Sequence, residues 1–129
     1  MAMQIKKSED PYFPKRKPEK SADYLKWLHE LPCVVSRQYG VEAAHVSFAE
    51  PMYCHYGRAK GHKASDRWAL PLAPDLHLIQ HKGSEREFWK QVGINPHIVA
   101  LVLWGLWSEM GDDATEAATA VIMEGRIGR

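Results

Sequence analysis

Cysteine is scarce: Cys33 and Cys54 are the two thiols in 129 residues. That scarcity excludes a small secreted scaffold held by several disulfides. By count it also excludes a structural zinc held by four cysteines. Long hydrophobic runs are missing too. The longest, Ile98 to Trp107, is ten residues, about half of the roughly 20 a membrane helix requires. The opening Met1-Ala2-Met3-Gln4-Ile5-Lys6-Lys7 has no apolar stretch behind its lysines. No signal peptide is read there, and a soluble, cytoplasmic protein with no membrane partner is expected. Net charge is nearly absent, at +1. The hydrophobic and charged fractions, 45% and 26%, are ordinary and argue against wholesale disorder. The length suits one domain built on one core.

What charge there is lies unevenly. Residues 1–20 hold six Lys or Arg against three acids, giving +3. Residues 54–67 hold four against Asp66, again +3, with His55 and His62 in addition. Residues 108–129 hold five acids against Arg126 and Arg129, giving −3. A chain of this kind can meet a polyanion through one face. Charge alone reads equally well as a solvated surface with no partner.

Prolines 11, 14 and 18 among many charges mark residues 1–20 as a flexible basic arm. Ser21 caps an expected helix over 22–31, closed by Pro32. Val34 to Phe48 reads as β structure in two pieces broken at Gly40. A long loop, Ala49 to Ser65, follows. Trp68, Leu70 and Leu72 alternate with Arg67, Ala69 and Pro71, the pattern of a short strand. Pro74 opens a helix over 74–82. Ser84-Glu85-Arg86-Glu87 is a capping box for the next, which ends at Gly93. Asn95-Pro96 starts a helix running to Met110, apolar around nearly its whole circumference and so expected at the centre of the core. An Ala/Thr-rich segment, 113–123, suits a weaker last helix. The organisation expected is an arm at 1–20, a body at 21–111 and a C-terminal helix or tail at 112–129. The fold class is α+β.

Five of the seven histidines lie between positions 45 and 81. His45 sits on a strand between Ala44 and Val46. His77 and His81, four apart, project from one helix face and can share a cation. Asp66 stands where a carboxylate can bond an imidazole and fix its tautomer. Strand, loop, strand and helix, with one histidine on the first strand and another on the helix, suits metal-dependent phosphodiester cleavage. An imidazole with its ordinary pKa near 6.5 can take a proton from water. A divalent cation can neutralise charge on the phosphate and the leaving oxygen. The plain structural alternatives are a backbone-bonded core histidine at 45 and helix-end histidines at 77 and 81.

Glu42-Ala43-Ala44-His45-Val46, Lys63-Ala64-Ser65-Asp66-Arg67-Trp68, Pro71-Leu72 with His77 and His81, Glu85 to Trp89, and Gly93-Ile94-Asn95-Pro96 occur in this order. The set resembles the phage and prophage HNH (His-Me finger) nucleases related to the phage recombination-enhancement nuclease, over about residues 31–105. The resemblance implies a ββα-metal finger with a long hairpin loop, packed against further helices. It also implies an endonuclease that cuts DNA and takes part in DNA recombination. On that reading His45 is the general base, Asp66 braces the site and His77 binds one divalent ion, Mg²⁺ or Mn²⁺, with Zn²⁺ open. Some relatives work on a recombinase filament, and a phage-encoded enzyme would act in the host cytoplasm. Arg58, Lys60, Lys63 and Arg67 are then phosphate contacts that position a strand without reading its sequence.

Three features depart from the family pattern. Ala44 stands where many HNH enzymes have a metal ligand, so the second ligand is expected from Glu42 or His81. Cys33-Val34-Val35-Ser36 has one thiol where the family frequently has two. Ala73 and Leu76 replace a Cys and a His common after Pro-Leu. A mixed zinc site using Cys33, Cys54 and a histidine stays open beside two ordinary thiols. Two other functions follow from these departures: a catalytically degenerate DNA-binding relative, and a zinc-stabilised interaction module. Oligomeric state is not readable from the sequence.

Overall fold

The computed structural model describes residues 21–57 and 64–129. Among the described residues the architecture is mixed α+β, with five α-helices and a two-stranded antiparallel sheet. The arm at 1–20 and the loop positions Arg58, Lys60 and Lys63 lie outside the described residues.

The first helix, α1 (Ala22–Leu28), begins where the Ser21 hydroxyl accepts the Tyr24 amide and buries Tyr24, Trp27 and Leu28. It is shorter than the 22–31 span expected, because residues 29–31 close in turns rather than continuing the helical ladder. Tyr24 donates its hydroxyl to the Ala69 carbonyl at 3.2 Å and packs edge-on against Trp104. One ring thus ties the helix to the sheet and to the far side of the core.

Strand β1 (Glu42–His45) pairs with β2 (Ala69–Leu72) in the register Glu42↔Leu72 to His45↔Ala69. This corrects the β reading of Val34–Phe48. Residues 34–39 form a turn, with Arg37 at φ 61° and Gly40 at φ 89°. Such backbone leaves the strand region, and the segment meets β2 through the Val34 amide, 3.1 Å from the Pro71 carbonyl, without continuing as a strand. The short strand expected here is present as β2, and all four of its residues are buried, so both of its faces are covered.

Helix α2 (Pro74–His81) follows β2 after a single residue and buries only Gln80. Helix α3 (Glu85–Val92) starts at the Ser84 cap, buries Phe88 and Trp89, and stops at Gly93 in the left-handed conformation. Helix α4 (Pro96–Met110) starts where the Asn95 side chain accepts two amides. Its buried residues, Pro96, His97, Val99, Ala100 and Leu103, form one face, and Leu101, Val102, Leu106 and Trp107 are only half-buried. The expectation of burial all round is therefore corrected: α4 lies against the sheet along one side. Helix α5 (Thr115–Glu124) buries Ala118 and Ile122, and Thr115 accepts the Trp27 indole N–H at 2.9 Å. Beyond it Gly128, at φ 74°, passes so close to α4 that a Cβ there would stand 2.9 Å from the Asn95 carbonyl. No described helix is long and apolar enough to cross a membrane.

Candidate active site on the strand–strand–helix unit

The end of β1, the turn entering β2 and the exposed side of α2 carry the polar residues singled out from the sequence. His45 closes β1 opposite Ala69, and the ladder runs one bond further, from the Val46 amide to the Trp68 carbonyl at 2.9 Å. A 3₁₀ turn at Asp66–Trp68 is anchored by the buried Trp68 ring and presents Asp66 at its first position. That places Asp66 Oδ1 2.8 Å from His45 Nε2. A carboxylate can only accept, so Nε2 carries the proton and the neutral ring keeps its lone pair on Nδ1. The other oxygen, Oδ2, accepts the Ser21 amide at 2.7 Å. Asp66 is thereby held from α1 as well as holding His45. The two side chains are 15% and 19% exposed, His45 being the more open, so the pair is shielded from water without being sealed.

At the other end of β1, Glu42 Oε1 accepts from His77 Nδ1 at 2.9 Å. Position 42 faces the last residue of β2, and α2 begins only two residues later, which brings its first turn over that end of the hairpin. His77 Nε2, on the opposite side of the ring, lies 2.9 Å from His81 Nε2, with ring centroids 4.7 Å apart. The i, i+4 spacing produces this convergence. With its proton held on Nδ1 by Glu42, His77 directs a lone pair from Nε2 to the point His81 also faces. A carboxylate behind an imidazole is the usual support for a metal-binding histidine. Two nitrogens on one helix face suit a divalent ion such as Mn²⁺ or Zn²⁺, with water completing its shell. Among the described residues no group of three or more His, Cys, Asp or Glu is arranged to hold a metal ion.

Glu85 links the two ends. Its carboxylate accepts the Ser47 amide, 2.9 Å from Oε2, and the Gln80 side-chain amide at 3.2 Å. Ser47 lies two residues beyond His45 and Gln80 sits between His77 and His81, so α3 ties the end of β1 and helix α2 to one anchor.

The remaining candidates are placed differently. Ala44, where a ligand is common in HNH enzymes, is fully buried. Arg67 lays its guanidinium over the Trp68 ring at 5.0 Å. Cys33 is buried, and its sulfur faces the Val35 and Ser36 amides at 3.4 Å. Cys54 is exposed.

Sequence reasoning passed over a second histidine pair. His55 and His97 are 2% and 1% exposed, with His55 Nδ1 2.9 Å from His97 Nε2. The Phe48 carbonyl, 3.0 Å from His97 Nε2, can only accept, so that nitrogen bears the proton. His55 stacks on Trp68 at 4.6 Å, and its buried Nε2 has no protein partner. Burial first, then His97 and Arg67, lowers the His55 pKa to about 4. Burial also lowers that of His97. Both rings are neutral near pH 7. The signal available was His97 itself, a lone titratable group between Pro96 and the apolar run of α4.

The fold and site thus define a mixed α+β domain whose strand–strand–helix unit presents a carboxylate-backed histidine on a strand and a carboxylate-backed histidine pair on a helix. Residues 8–111 match the family described as Protein of unknown function (DUF968), and the chain belongs to that family. No curated protein and no solved structure matches it.

Proposed function

We propose that the protein is a metal-dependent endonuclease of the HNH (His-Me finger) type that hydrolyses DNA phosphodiester bonds, and that it is of phage or prophage origin. The observation that carries this reading is the tautomer set at each end of β1. Asp66 leaves the His45 lone pair on Nδ1, and Glu42 leaves the His77 lone pair on Nε2 beside His81. In the proposed reaction His45 Nδ1 takes a proton from water, the water oxygen bonds to phosphorus and the P–O3′ bond breaks. The departing O3′ takes a proton from a solvent water, so the products carry 5′-phosphate and 3′-hydroxyl ends. Asp66 holds the imidazolium that forms. His77 and His81 hold the divalent ion, with Glu42 orienting His77. That ion, when bound, offsets negative charge on the phosphate and the departing oxygen. The arm at 1–20 and the cations at 58, 60 and 63 supply attraction to the DNA backbone.

The test is nicking of supercoiled plasmid with Mn²⁺ or Mg²⁺, with and without EDTA, by the wild type and His77→Ala. Nicking that chelator abolishes and His77→Ala greatly weakens is expected. Nicking indifferent to both would refute the metal-dependent reading. A second reading, a DNA-binding relative without catalysis, is favoured by Ala44, whose buried methyl supplies no ligand. DNA binding with no nicking under any divalent ion would select it.

A further inference from the structure

A cleft of about 410 Å³ opens beside α3, between the 48–53 segment and the start of α4. Its walls combine two features suited to a nucleotide. Arg86 and Lys90, one turn apart on α3 and both exposed, supply two cations against the single carboxylate of Glu50. The half-buried rings of Phe48 and Tyr53 supply aromatic surface. Trp89 is 1% exposed, and its indole N–H is buried with no hydrogen-bond partner. An unpaired buried donor is costly in a folded protein.

The cleft also lies close to the proposed reacting centre. Phe48 is three residues after His45, so their Cα atoms are no more than about 11 Å apart. Arg86 directly follows Glu85, which holds Ser47. A strand crossing His45 therefore reaches the cleft within a few nucleotides.

We propose that this cleft binds one unpaired nucleotide of the DNA substrate, its phosphate at Arg86 and Lys90 and its base among the aromatic rings. The inference rests on the nuclease reading and narrows it. A base can enter such a pocket only when it is out of the duplex stack, so single-stranded or locally opened DNA is the favoured substrate.

The experiment is equilibrium binding of the full chain to a short labelled oligodeoxythymidylate in EDTA, where no cleavage occurs. An abasic strand of equal length and the matching duplex serve as competitors. Base-bearing single strand is expected to bind about tenfold more tightly than abasic strand, as base–aromatic stacking allows. Tyr53→Ala should erase that preference, and Arg86→Gln with Lys90→Gln should weaken both strands. Equal affinity for base-bearing and abasic strands overturns the proposal, as does equal affinity in the Tyr53→Ala and wild-type proteins. A chain that binds in this base-dependent way yet never nicks DNA refutes the nuclease reading alone. One that nicks yet ignores the base refutes the cleft alone.

Discussion

Replacing Asp66 by Asn separates the electronic role of this carboxylate from its structural one. Asp66 receives two donors, the His45 ring N–H at 2.8 Å and the Ser21 amide at 2.7 Å. An Asn side chain offers one oxygen and one NH₂ group, so one donor must face a donor. The backbone amide cannot change its role, whereas an imidazole can move its proton to the other nitrogen. The amide should therefore keep its oxygen on Ser21 and turn its NH₂ to His45 Nε2, which becomes an acceptor. The His45 proton then sits on Nδ1, the atom required to accept from water. Stability should fall by only about 1 kcal/mol, the difference between charge-assisted and neutral bonds. Nicking should fall by about 10²–10⁴, the usual contribution of a general base. Long-range ¹H–¹⁵N spectra report the tautomer, urea unfolding the stability and plasmid nicking the rate. Asp66→Ala, by contrast, leaves both donors unpaired and should cost more stability, about 2–3 kcal/mol. Full activity in Asp66→Asn with the His45 proton moved to Nδ1 would refute the reasoning.

Acid should destabilise the protein through the second histidine pair. The folded pKa of His55, about 4, lies below the ordinary 6.5, so its contribution is complete above pH 6.5 and is lost as pH falls towards 4. The span corresponds to about 3 kcal/mol, and His55→Phe should flatten the urea-unfolding profile over that window; an unchanged slope would contradict it. Mn²⁺ titration followed by electron paramagnetic resonance should show affinity largely lost in His81→Ala. Glu42→Gln, which disturbs only the support of His77, should weaken it about 10–100-fold. Unchanged affinity in both variants removes that assignment. Leu103→Ala, at a fully buried position on α4, should cost about 2–5 kcal/mol in unfolding experiments.

The helices were legible where capping chemistry is local. Ser84 with Glu87, Asn95-Pro96, Gly93 and Gly111 mark their own boundaries, because each satisfies amides or carbonyls within one turn. β1 was legible only in part. Val34 and Val35 have the composition of a strand, and the Val34 amide does bond Pro71 of β2, but the left-handed backbone at Arg37 turns the chain away. The site divides along the same line. His45 with Asp66, and His77 with His81, follow from residue type and spacing. The bond from Glu42 to Nδ1 of His77 depends on register and on where α2 starts, which spacing does not reveal. Glu85 was visible as an acid in the first turn of α3, but its hold on Ser47 and Gln80 is tertiary. His55 and His97 lie 42 residues apart, and each read singly is an ordinary histidine.

The most direct measurement is single-turnover cleavage of supercoiled plasmid by His45→Ala beside wild type, with Mn²⁺ affinity and unfolding midpoint recorded for both. The account predicts that the variant folds, binds the ion as tightly as wild type and leaves the DNA uncut. Cleavage at the wild-type rate by that variant would contradict it.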